Sequence, residues 1–309
     1  MPGPERARRV AGFKATTALA LALVTAACGQ ASPTPAATTT ASPTASASVD
    51  STPGSPAGGV SPPDHIVLVM LENKDYTSIT GSPDAPYLNS LAAQGTRLSN
   101  AFAITHPSQP NYIAIISGST QGVANDACPR NFHSVENLPH QLISTGLSFT
   151  GYSEDLPSPG YTGCSAGRYA RKHNGWVDFD NVPASSNQPF TAFPSDFAAL
   201  PRVAFVVPNL CNDMHDCSVS TGDTWMRDHL DAYARWAKSH NSLLIVTLDE
   251  DAGGAHNHIF TTFVGEHVPV GTSDQRIDHY SVLRTIEDMF GLPPLGNAAQ
   301  ATPIMDIWR

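Results

Sequence analysis

The sequence predicts an α/β fold, and two patterns in the chain carry this prediction. Three apolar runs rich in β-branched residues, 65–71, 203–207 and 243–248, show no alternation with polar residues. Strands that are apolar on both sides are typical of parallel sheets with both faces covered. Helical segments separate these runs, and strands that alternate with helices pack as layers. The chain is therefore predicted to form a layered sandwich around a mostly parallel central sheet.

Five segments are predicted to be helical from their length and apolar spacing. The longest segment carries its apolar side chains on one face and begins with Asp223, a candidate N-cap residue. The predicted helices are 87–94, 110–117, 138–145, 223–239 and 281–290. They lie between or after the predicted strands, as the α/β fold requires.

The first 28 residues have the pattern of an export signal. Basic residues precede an apolar run at 15–27 that is too short to span a bilayer as a mature helix. Small residues before Cys28 match the site cut by lipoprotein signal peptidase, which predicts a lipid on Cys28. Cleavage without lipidation stays open, because Thr25 occupies a position where Leu is more common. Both alternatives place the protein outside the cytoplasm, as a membrane lipoprotein or as a secreted protein.

Residues 29–63 are predicted to be a disordered linker. They are almost only Ala, Ser, Thr, Pro and Gly, so nothing large can be buried to offset the entropy of ordering the chain. The rest of the chain, 64–309, contains no second linker and no internal repeat. Its length suits one folded domain.

The charge distribution argues against a nucleic-acid-binding protein. The formal net charge is −10, and the basic residues are scattered rather than gathered in a stripe. A nucleic-acid-binding surface is normally a basic patch. An acidic domain of this kind is compatible with solubility and with metal binding.

The cysteines predict two disulfide bonds. Five cysteines are present, and lipidation of Cys28 would leave four that can pair completely in an oxidising compartment. We favour Cys128 with Cys164 and Cys211 with Cys217, although three pairings are formally open. A thiolate metal site is less favoured, because the chain lacks the close Cys-x-x-Cys spacing of such sites.

Polar clusters follow the predicted strands, where ligands bind in sheets of this kind. Glu72 and Asn73 end the first strand, 208–216 follow the second, and 249–251 end the third. Ser108 comes just before a predicted helix, whose N-terminus would favour an anion. Each feature alone has a commoner structural use, as a strand-end cap, a helix N-cap or a solvated acidic turn. Their joint order instead favours a site that holds a metal ion and activates a serine.

Five motifs carry a resemblance to a known family. They are Glu-Asn at 72–73, His-Pro-Ser-Gln-Pro-Asn-Tyr at 106–112, the segment 208–216, Asp-Glu-Asp at 249–251 and the segment 279–288. In this order they resemble the phosphoesterase family of bacterial acid phosphatases and phosphatidylcholine-type phospholipases C. The resemblance spans nearly all of the predicted domain, and five ordered motifs are more specific than any one of them. It implies an alkaline-phosphatase-like α/β sandwich.

The resemblance also implies a nucleophile and a metal site. Ser108 matches the family's nucleophile, and Glu72, Asn73, Asp249 and Glu250 match the positions that bind one metal ion together with it. Such oxygen ligands suit Ca²⁺, Mg²⁺ or Mn²⁺. A coordinated cation makes a serine alkoxide accessible near neutral pH, and attack on phosphorus would give a phosphoserine that water hydrolyses.

Further residues are expected to border the phosphate. Asp213 and His215 match a pair beside the phosphoryl group, and we expect His215 to protonate the leaving alcohol, as histidines titrate near neutral pH. Asn111, which lies in the same motif as Ser108, is expected to bind substrate. His258 is open between a phosphate contact and a surface loop. The argument for a second metal ion near His256 and His258 is weak.

The most basic part of the domain is predicted to bind the anionic substrate. Arg168 and Arg171 lie in a stretch rich in Gly, Ser and Pro, at 125–187, together with Lys172 and His173. Arginine recognises phosphate oxygens through two parallel hydrogen bonds. A solvated surface segment is an equal alternative.

The sequence therefore predicts an exported, metal-assisted phosphomonoesterase that acts on soluble phosphate esters or phosphoinositides. A phospholipase C that cleaves phosphatidylcholine-type diesters is the second hypothesis, although larger members carry additional C-terminal domains and this chain ends soon after the last motif. A lipid-anchored protein that binds phosphate esters without turnover is the third, and an activated serine argues against it. The expected partners are the substrate and, through Cys28, a membrane, with no nucleic acid and a monomeric state.

Overall fold

The computed structural model describes residues 62–254 and 256–309. The predicted signal segment, 1–28, lies outside the described residues, as does the predicted linker, 29–63, except for its last two residues. No helix within the described part of the chain has the length and apolar character needed to cross a bilayer.

An eight-stranded sheet forms the centre of the fold. The strands are β1 (His65–Leu71), β2 (Thr96–Leu98), β3 (Ala101–Phe102), β4 (Phe149–Ser153), β5 (Ser165–Ala166), β6 (Tyr169–Ala170), β7 (Asn187–Pro189), β8 (Val203–Val207), β9 (Ser242–Leu248), β10 (Thr261–Gly265), β11 (Gly271–Ser273) and β12 (Ile277–Asp278). The sheet has the order β11-β2-β10-β9-β1-β8-β4-β7. Only β10 runs antiparallel to its neighbours in this sheet. The prediction of a mostly parallel sheet is confirmed.

The three predicted strands lie side by side in the middle of this sheet. β1 and β8 have the predicted bounds, and β9 begins one residue earlier than predicted. Their side chains are buried along nearly the whole length of each strand, so both faces of the sheet are covered. The sequence did not predict β4 and β10, because their Thr, Ser and Gly residues interrupt the apolar pattern.

The helices form two groups around the sheet. They are α1 (Tyr76–Ile79), α2 (Pro86–Ala92), α3 (Ser108–Ser117), α4 (Leu138–Ser144), α5 (Val219–Ala237) and α6 (His279–Phe290). α2 and α5 pack against each other and against β10, whereas α3 packs with α4 and α6. α5 buries the predicted apolar face, including Trp225, Met226, Leu230 and Tyr233.

Asp223 does not begin α5, which is a correction to the sequence-based expectation. The helix begins at Val219, and the side chain of Ser218 caps it. Asp223 is buried within α5, and its carboxylate accepts two backbone N–H groups of the first turn of α2 at 3.0 and 2.7 Å. The N-cap residue of α2, Ala85, has no side-chain acceptor, so Asp223 satisfies these N–H groups from the neighbouring helix.

The C-terminal end of α3 is clamped against the loop that follows α6. α3 ends at Gly118, whose φ of 68° is in the left-handed region. A Cβ at this position would lie 2.0 Å from the carbonyl oxygen of Leu295, so only glycine permits the approach. The carbonyl oxygen of Gly118 accepts the N–H of Asn297 at 2.7 Å. This contact fixes the far end of the helix that begins with Ser108.

The same loop depends on a buried carboxyl group in α6. Oε1 of Glu287 accepts the N–H of Leu295 at 2.9 Å, and Oε2 has no hydrogen-bond partner in the part of the chain that the structure describes. Burial raises the pKa of Glu287 to about 8 from its ordinary value near 4.5. The folded protein therefore favours the protonated form of this group.

Replacing Glu287 by Gln should make stability less dependent on pH. The contribution of Glu287 is fully present below pH 4.5 and is lost as the pH rises through about 8. Because one pKa unit corresponds to about 1.4 kcal/mol, this group should lower the free energy of unfolding by roughly 3 kcal/mol between pH 5 and pH 8. Denaturant titrations of wild type and Glu287→Gln across this range measure the difference. Asp274→Asn, which alters an exposed carboxylate, is the control. Parallel pH profiles for wild type and Glu287→Gln would contradict the assignment.

Candidate active site

The register between β1 and β9 places two predicted metal ligands side by side. Leu71 pairs with Leu248, so Glu72 and Asp249 leave the sheet at the same edge. The N–H of Asp249 donates to the carbonyl oxygen of Leu71 at 2.9 Å. The N–H of Asn73 donates to Oδ1 of Asp249 at 3.1 Å. The expected meeting of polar clusters at the carboxyl ends of the strands is observed here.

Lys74 joins the end of β1 to the loop that follows β8. Its Nζ donates to the carbonyl oxygens of Asn73 at 3.2 Å and Met214 at 2.7 Å. Both of those residues have positive φ angles, 49° and 83°. Asparagine adopts this left-handed conformation more readily than most residues, whereas Met214 is held there by its surroundings.

Ser108 is the first residue of α3, and its hydroxyl lies between two carboxylates. Oγ lies 3.0 Å from Oε2 of Glu72 and 3.2 Å from Oε1 of Glu250, so its single O–H can donate to either carboxylate, and the residue is only 1% exposed. The N-cap position of α3 belongs to Pro107, so the hydroxyl is not used to cap the helix. The structure thus brings together Ser108, Glu72 and Glu250, as the sequence motifs predicted.

The carboxylate of Asp126 accepts a hydrogen bond from one of the backbone N–H groups at the start of α3. The N–H of Gln109 donates to Oδ1 of Asp126 at 3.0 Å. The other oxygen of this carboxylate accepts from Nζ of Lys172, also at 3.0 Å. The N-terminus of this helix was expected to bind a phosphate. The N–H of Gln109 instead binds the carboxylate of Asp126.

A group of histidines lies next to Glu72. Nε2 of His173 is 3.0 Å from Oε1 of Glu72, and its Nδ1 is 3.2 Å from Oδ2 of Asp213. The other oxygen of Asp213 accepts the N–H of His215 at 2.7 Å. Glu72, His173 and His215 can each offer one ligand atom within 4.8 Å of the others. Glu72 therefore contacts both the serine and the histidine group.

The proton-donor role of His215 stays a prediction, and its ring nitrogens contact a carboxylate and an ammonium group. Its Nδ1 is 2.7 Å from Oδ1 of Asp216, and its Nε2 is 3.2 Å from Nζ of Lys172. An ammonium group can only donate, so Nε2 must accept and Nδ1 must carry the proton. Protonating a leaving alcohol from Nε2 would require the opposite arrangement.

Burial and mutual repulsion raise the pKa values of the carboxyl groups. Burial raises the pKa of Asp249 to about 8, with a further contribution from the charge of Glu250. Burial also raises the pKa of Asp213 to about 7 and, with the charges of Asp249 and Asp213, raises that of Glu72 well above its ordinary value. Burial holds the pKa of His173 well below its usual range, so its imidazole is neutral. The cluster thus holds several carboxyl groups whose pKa values are raised. A bound divalent cation would favour their ionised forms.

The donor atoms fit a bound metal ion. Oδ2 of Asp249 is buried and has no hydrogen-bond partner within the described residues. The carboxylates of Glu72 and Glu250 converge on the Ser108 hydroxyl, and carboxylate and hydroxyl oxygens are ligands of hard divalent cations. The neutral imidazole of His173 adds a nitrogen donor beside Glu72.

Asn111 is a positioning residue rather than the substrate ligand that was expected. It is fully buried, and its Oδ1 accepts the N–H groups of Ile104 and Thr105, both at 3.1 Å. Its Nδ2 donates to the carbonyl oxygens of Thr105 at 2.8 Å and Pro107 at 3.3 Å. All four hydrogen bonds of the amide therefore serve the loop before Ser108.

His258 is part of an aromatic stack, and the phosphate contact that was one of its two predicted roles stays a prediction. Its ring lies 4.2 Å from that of Tyr76 and 5.1 Å from that of Phe102, measured between centroids. Its Nε2 is 2.9 Å from the carbonyl oxygen of Ser99. These contacts hold the imidazole within the protein wall.

The prediction that Arg171 lies on an exposed basic surface is wrong. The residue is 3% exposed, its Nε pairs with Oδ1 of Asp178 at 3.1 Å, and its other nitrogens donate to carbonyl oxygens. These carbonyls belong to Thr162, Arg130 and Val177, at 2.7, 2.5 and 3.2 Å. Arg168 is exposed in the turn between β5 and β6, and its role in substrate binding stays a prediction.

Tyr112 and Asp126 were not predicted as members of the site, and Lys172 and His173 were predicted only as part of the basic stretch expected to bind the substrate. The hydroxyl of Tyr112 donates to Oε1 of Glu72 at 2.6 Å, and its ring stacks on His173. Tyr112 follows Ser108 by four residues, so helical spacing could have placed both on one face. Lys172 and His173 lie in a segment of short turns, where no periodic pattern indicates which side chains reach the site.

The predicted disulfide bonds are confirmed, and both border the site. Cys211–Cys217 closes the loop that carries Asp213 and His215. Cys128–Cys164 joins the segment after Asp126 to the hairpin that precedes Lys172.

The comparison with known proteins identifies the family. Residues 82–293 match the model of the Phosphoesterase family. The chain is 51% identical over 246 residues to a phosphatidylinositol-3-phosphatase of Mycobacterium tuberculosis, covering 79% of this chain and 82% of that protein. It is 34% identical over 262 residues to an acid phosphatase of Aspergillus fumigatus, covering 77% of this chain and 57% of the fungal protein. The chain therefore belongs to the phosphoesterase family, and it is a hydrolase of phosphate esters.

Solved structures confirm the fold class. A protein of the alkaline phosphatase superfamily from Vibrio parahaemolyticus superimposes with a TM-score of 0.56, covering 77% of this chain and 68% of that one. The sequence identity is 14%, so this similarity concerns the fold alone. The expected alkaline-phosphatase-like sandwich is confirmed.

Replacing Asn111 by Ala should lower kcat and stability together. Loss of a buried amide with four hydrogen bonds should cost roughly 2 to 4 kcal/mol of stability and at least about tenfold in kcat, with KM changed little. Steady-state kinetics on p-nitrophenyl phosphate and thermal unfolding measure both effects. Asn100→Ala, which removes a bond to the Asp274 carbonyl, is the control. A raised KM with unchanged stability would restore the substrate-binding role.

Replacing Cys211 and Cys217 together by Ser should impair catalysis more than folding. Opening so small a loop should cost about 2 kcal/mol of stability. Because Asp213 and His215 lie within the loop, we expect kcat to fall by about tenfold or more. Kinetics and thermal unfolding of the double variant test this, and an unchanged kcat would show that the loop keeps its geometry without the bond.

Proposed function

We propose that this protein is an exported phosphomonoesterase that removes phosphate from phosphoinositides, with Ser108 as its nucleophile. The observation that carries the proposal is the buried Ser108 hydroxyl between the carboxylates of Glu72 and Glu250. The 51% identity to a phosphatidylinositol-3-phosphatase supports phosphoinositides as the substrate class. The similarity to fungal acid phosphatases supports monoester hydrolysis more generally.

One hard divalent cation, Ca²⁺, Mg²⁺ or Mn²⁺, would be held by Glu72, Asn73, Asp249 and Glu250 together with the Ser108 oxygen. The carboxylates that converge on Ser108 and the unpartnered oxygen of Asp249 support this ligand set. When bound, such an ion supplies Lewis acidity that favours the serine alkoxide and neutralises negative charge.

The side chains around Ser108 prepare the hydroxyl for attack. Both carboxylates that accept its hydrogen bonds can take its proton. Oε1 of Glu72 accepts from Tyr112 and lies 3.0 Å from Nε2 of His173, and Oε2 is directed at the serine. Oγ of Ser108 then attacks phosphorus, the bond to the alcohol breaks, and a phosphoserine forms. Water hydrolyses this ester, releases inorganic phosphate and regenerates the serine.

The location of the protein is part of the proposal. The basic and apolar residues before Cys28 support export, and Cys28 would carry a lipid that holds the protein at the outer side of the membrane. Secretion without a lipid is the alternative, and mass spectrometry of the mature N-terminus distinguishes the two.

Product analysis with the purified protein tests the activity. We expect inorganic phosphate from p-nitrophenyl phosphate and phosphatidylinositol 3-phosphate, and a decrease of at least about a thousandfold in Ser108→Ala. EDTA should abolish activity, and added divalent cations should restore it. Ser144→Ala, on the exposed side of α4, is the matched control.

Other products would overturn the proposal. Phosphocholine released from phosphatidylcholine would identify a phospholipase C. Full activity of Ser108→Ala would exclude the serine as nucleophile. Binding of the phosphate esters without any product would indicate a binding protein.

A further inference from the structure

Lys172 places a positive charge beside the site. Its Nζ is 3.0 Å from Oδ2 of Asp126 and 3.2 Å from Nε2 of His215. Asp126 also accepts the N–H of Gln109, the residue that follows Ser108. His215 in turn can present a ligand atom within 4.8 Å of one on Glu72, which binds the Ser108 hydroxyl. The Lys172 ammonium is therefore connected to the nucleophile segment through Asp126, and its other partner, His215, lies near Glu72.

The ammonium group retains a donor for a ligand. It has three N–H bonds, and the contacts recorded among the described residues account for two, to Asp126 and His215. The Lys172 side chain is 20% exposed, so the remaining donor can be reached from solvent. Asp126 and His215 fix the position of the ammonium group, and the ion pair with Asp126 offsets part of its charge.

The neighbouring cations are committed to other contacts. Lys74 donates to two backbone carbonyls at 2.7 and 3.2 Å. Arg171 is buried in its ion pair with Asp178. Unlike Lys74 and Arg171, Lys172 both borders the acidic cluster and keeps a donor for substrate.

We propose that Lys172 binds the substrate phosphate and makes the enzyme prefer dianionic phosphomonoesters over monoanionic diesters. The inference rests on the proposed function, because it places the phosphate between Ser108 and the Lys172–His215 pair. A monoester has three non-bridging oxygens and two negative charges, whereas a diester has two such oxygens and one charge. A fixed ammonium beside buried carboxylates favours the more highly charged ligand, since it offsets repulsion that the second charge would meet.

The test compares charge-removing and charge-keeping substitutions. Lys172→Met should lower kcat/KM for p-nitrophenyl phosphate by about tenfold to a hundredfold, and raise the inhibition constant of inorganic phosphate by a similar factor. The kcat/KM for bis(p-nitrophenyl) phosphate should change by less than about threefold. Lys172→Arg should fall between wild type and Lys172→Met. Lys238→Met, at the exposed end of α5, is the control and should leave all three values unchanged.

Each outcome decides the inference. Equal losses on the monoester and the diester would indicate a positioning role through His215 and overturn it. An unchanged inhibition constant for inorganic phosphate in Lys172→Met would overturn it whatever the rates show. Thermal unfolding of both Lys172 variants separates a local effect from misfolding. If Lys172→Met is unstable, the same kinetic comparison is made with Lys172→Arg. These measurements use only p-nitrophenyl esters and inorganic phosphate. A lack of activity on phosphatidylinositol 3-phosphate would therefore contradict the proposed substrate class and not the role of Lys172.

Discussion

The site depends on one buried carboxylate at the end of the central strand. Glu72 has no exposed surface, and its two oxygens bind three side chains from α3 and from the turns before β7. Oε2 accepts from Ser108, while Oε1 is shared by Tyr112 and His173. Because burial of such a group is costly unless it is bound, these partners must stay in place for the fold to be stable. The same constraint that stabilises this edge of the sheet sets the position of the nucleophile.

Much of the fold could be predicted because its central strands are buried on both sides. The runs that became β1, β8 and β9 are continuous and apolar, and their bounds were nearly those observed. The flanking strands β4 and β10 carry Thr, Ser and Gly, so only their pairing in the sheet stabilises an extended conformation. The predicted start of α5 was wrong because aspartate is common at helix N-caps. Asp223 instead accepts N–H groups at the start of the neighbouring helix α2.

The site was predictable where its residues follow strands and not where they come from irregular turns. Glu72 and Asp249 end neighbouring parallel strands, so strand prediction alone brings them to one edge. His173 reaches the site from a short turn, and chain order gives no indication of its contact with Glu72. Arg171 precedes it by two residues yet points into the protein interior. In this segment Arg171 and His173 are both buried, yet one pairs with Asp178 and the other lies beside Glu72, and only the three-dimensional contacts separate them.

The buried position of Arg171 determines how a ligand can enter. Its guanidinium ties together three backbone segments around Thr162, Arg130 and Val177, in addition to its ion pair with Asp178. Moving any of these segments away would leave a desolvated charge without its partners, at a cost of several kcal/mol. This wall of the site therefore cannot act as a flap that closes over a ligand. The stretch of chain that leads into Lys172 and His173 is thus held in place before a ligand binds.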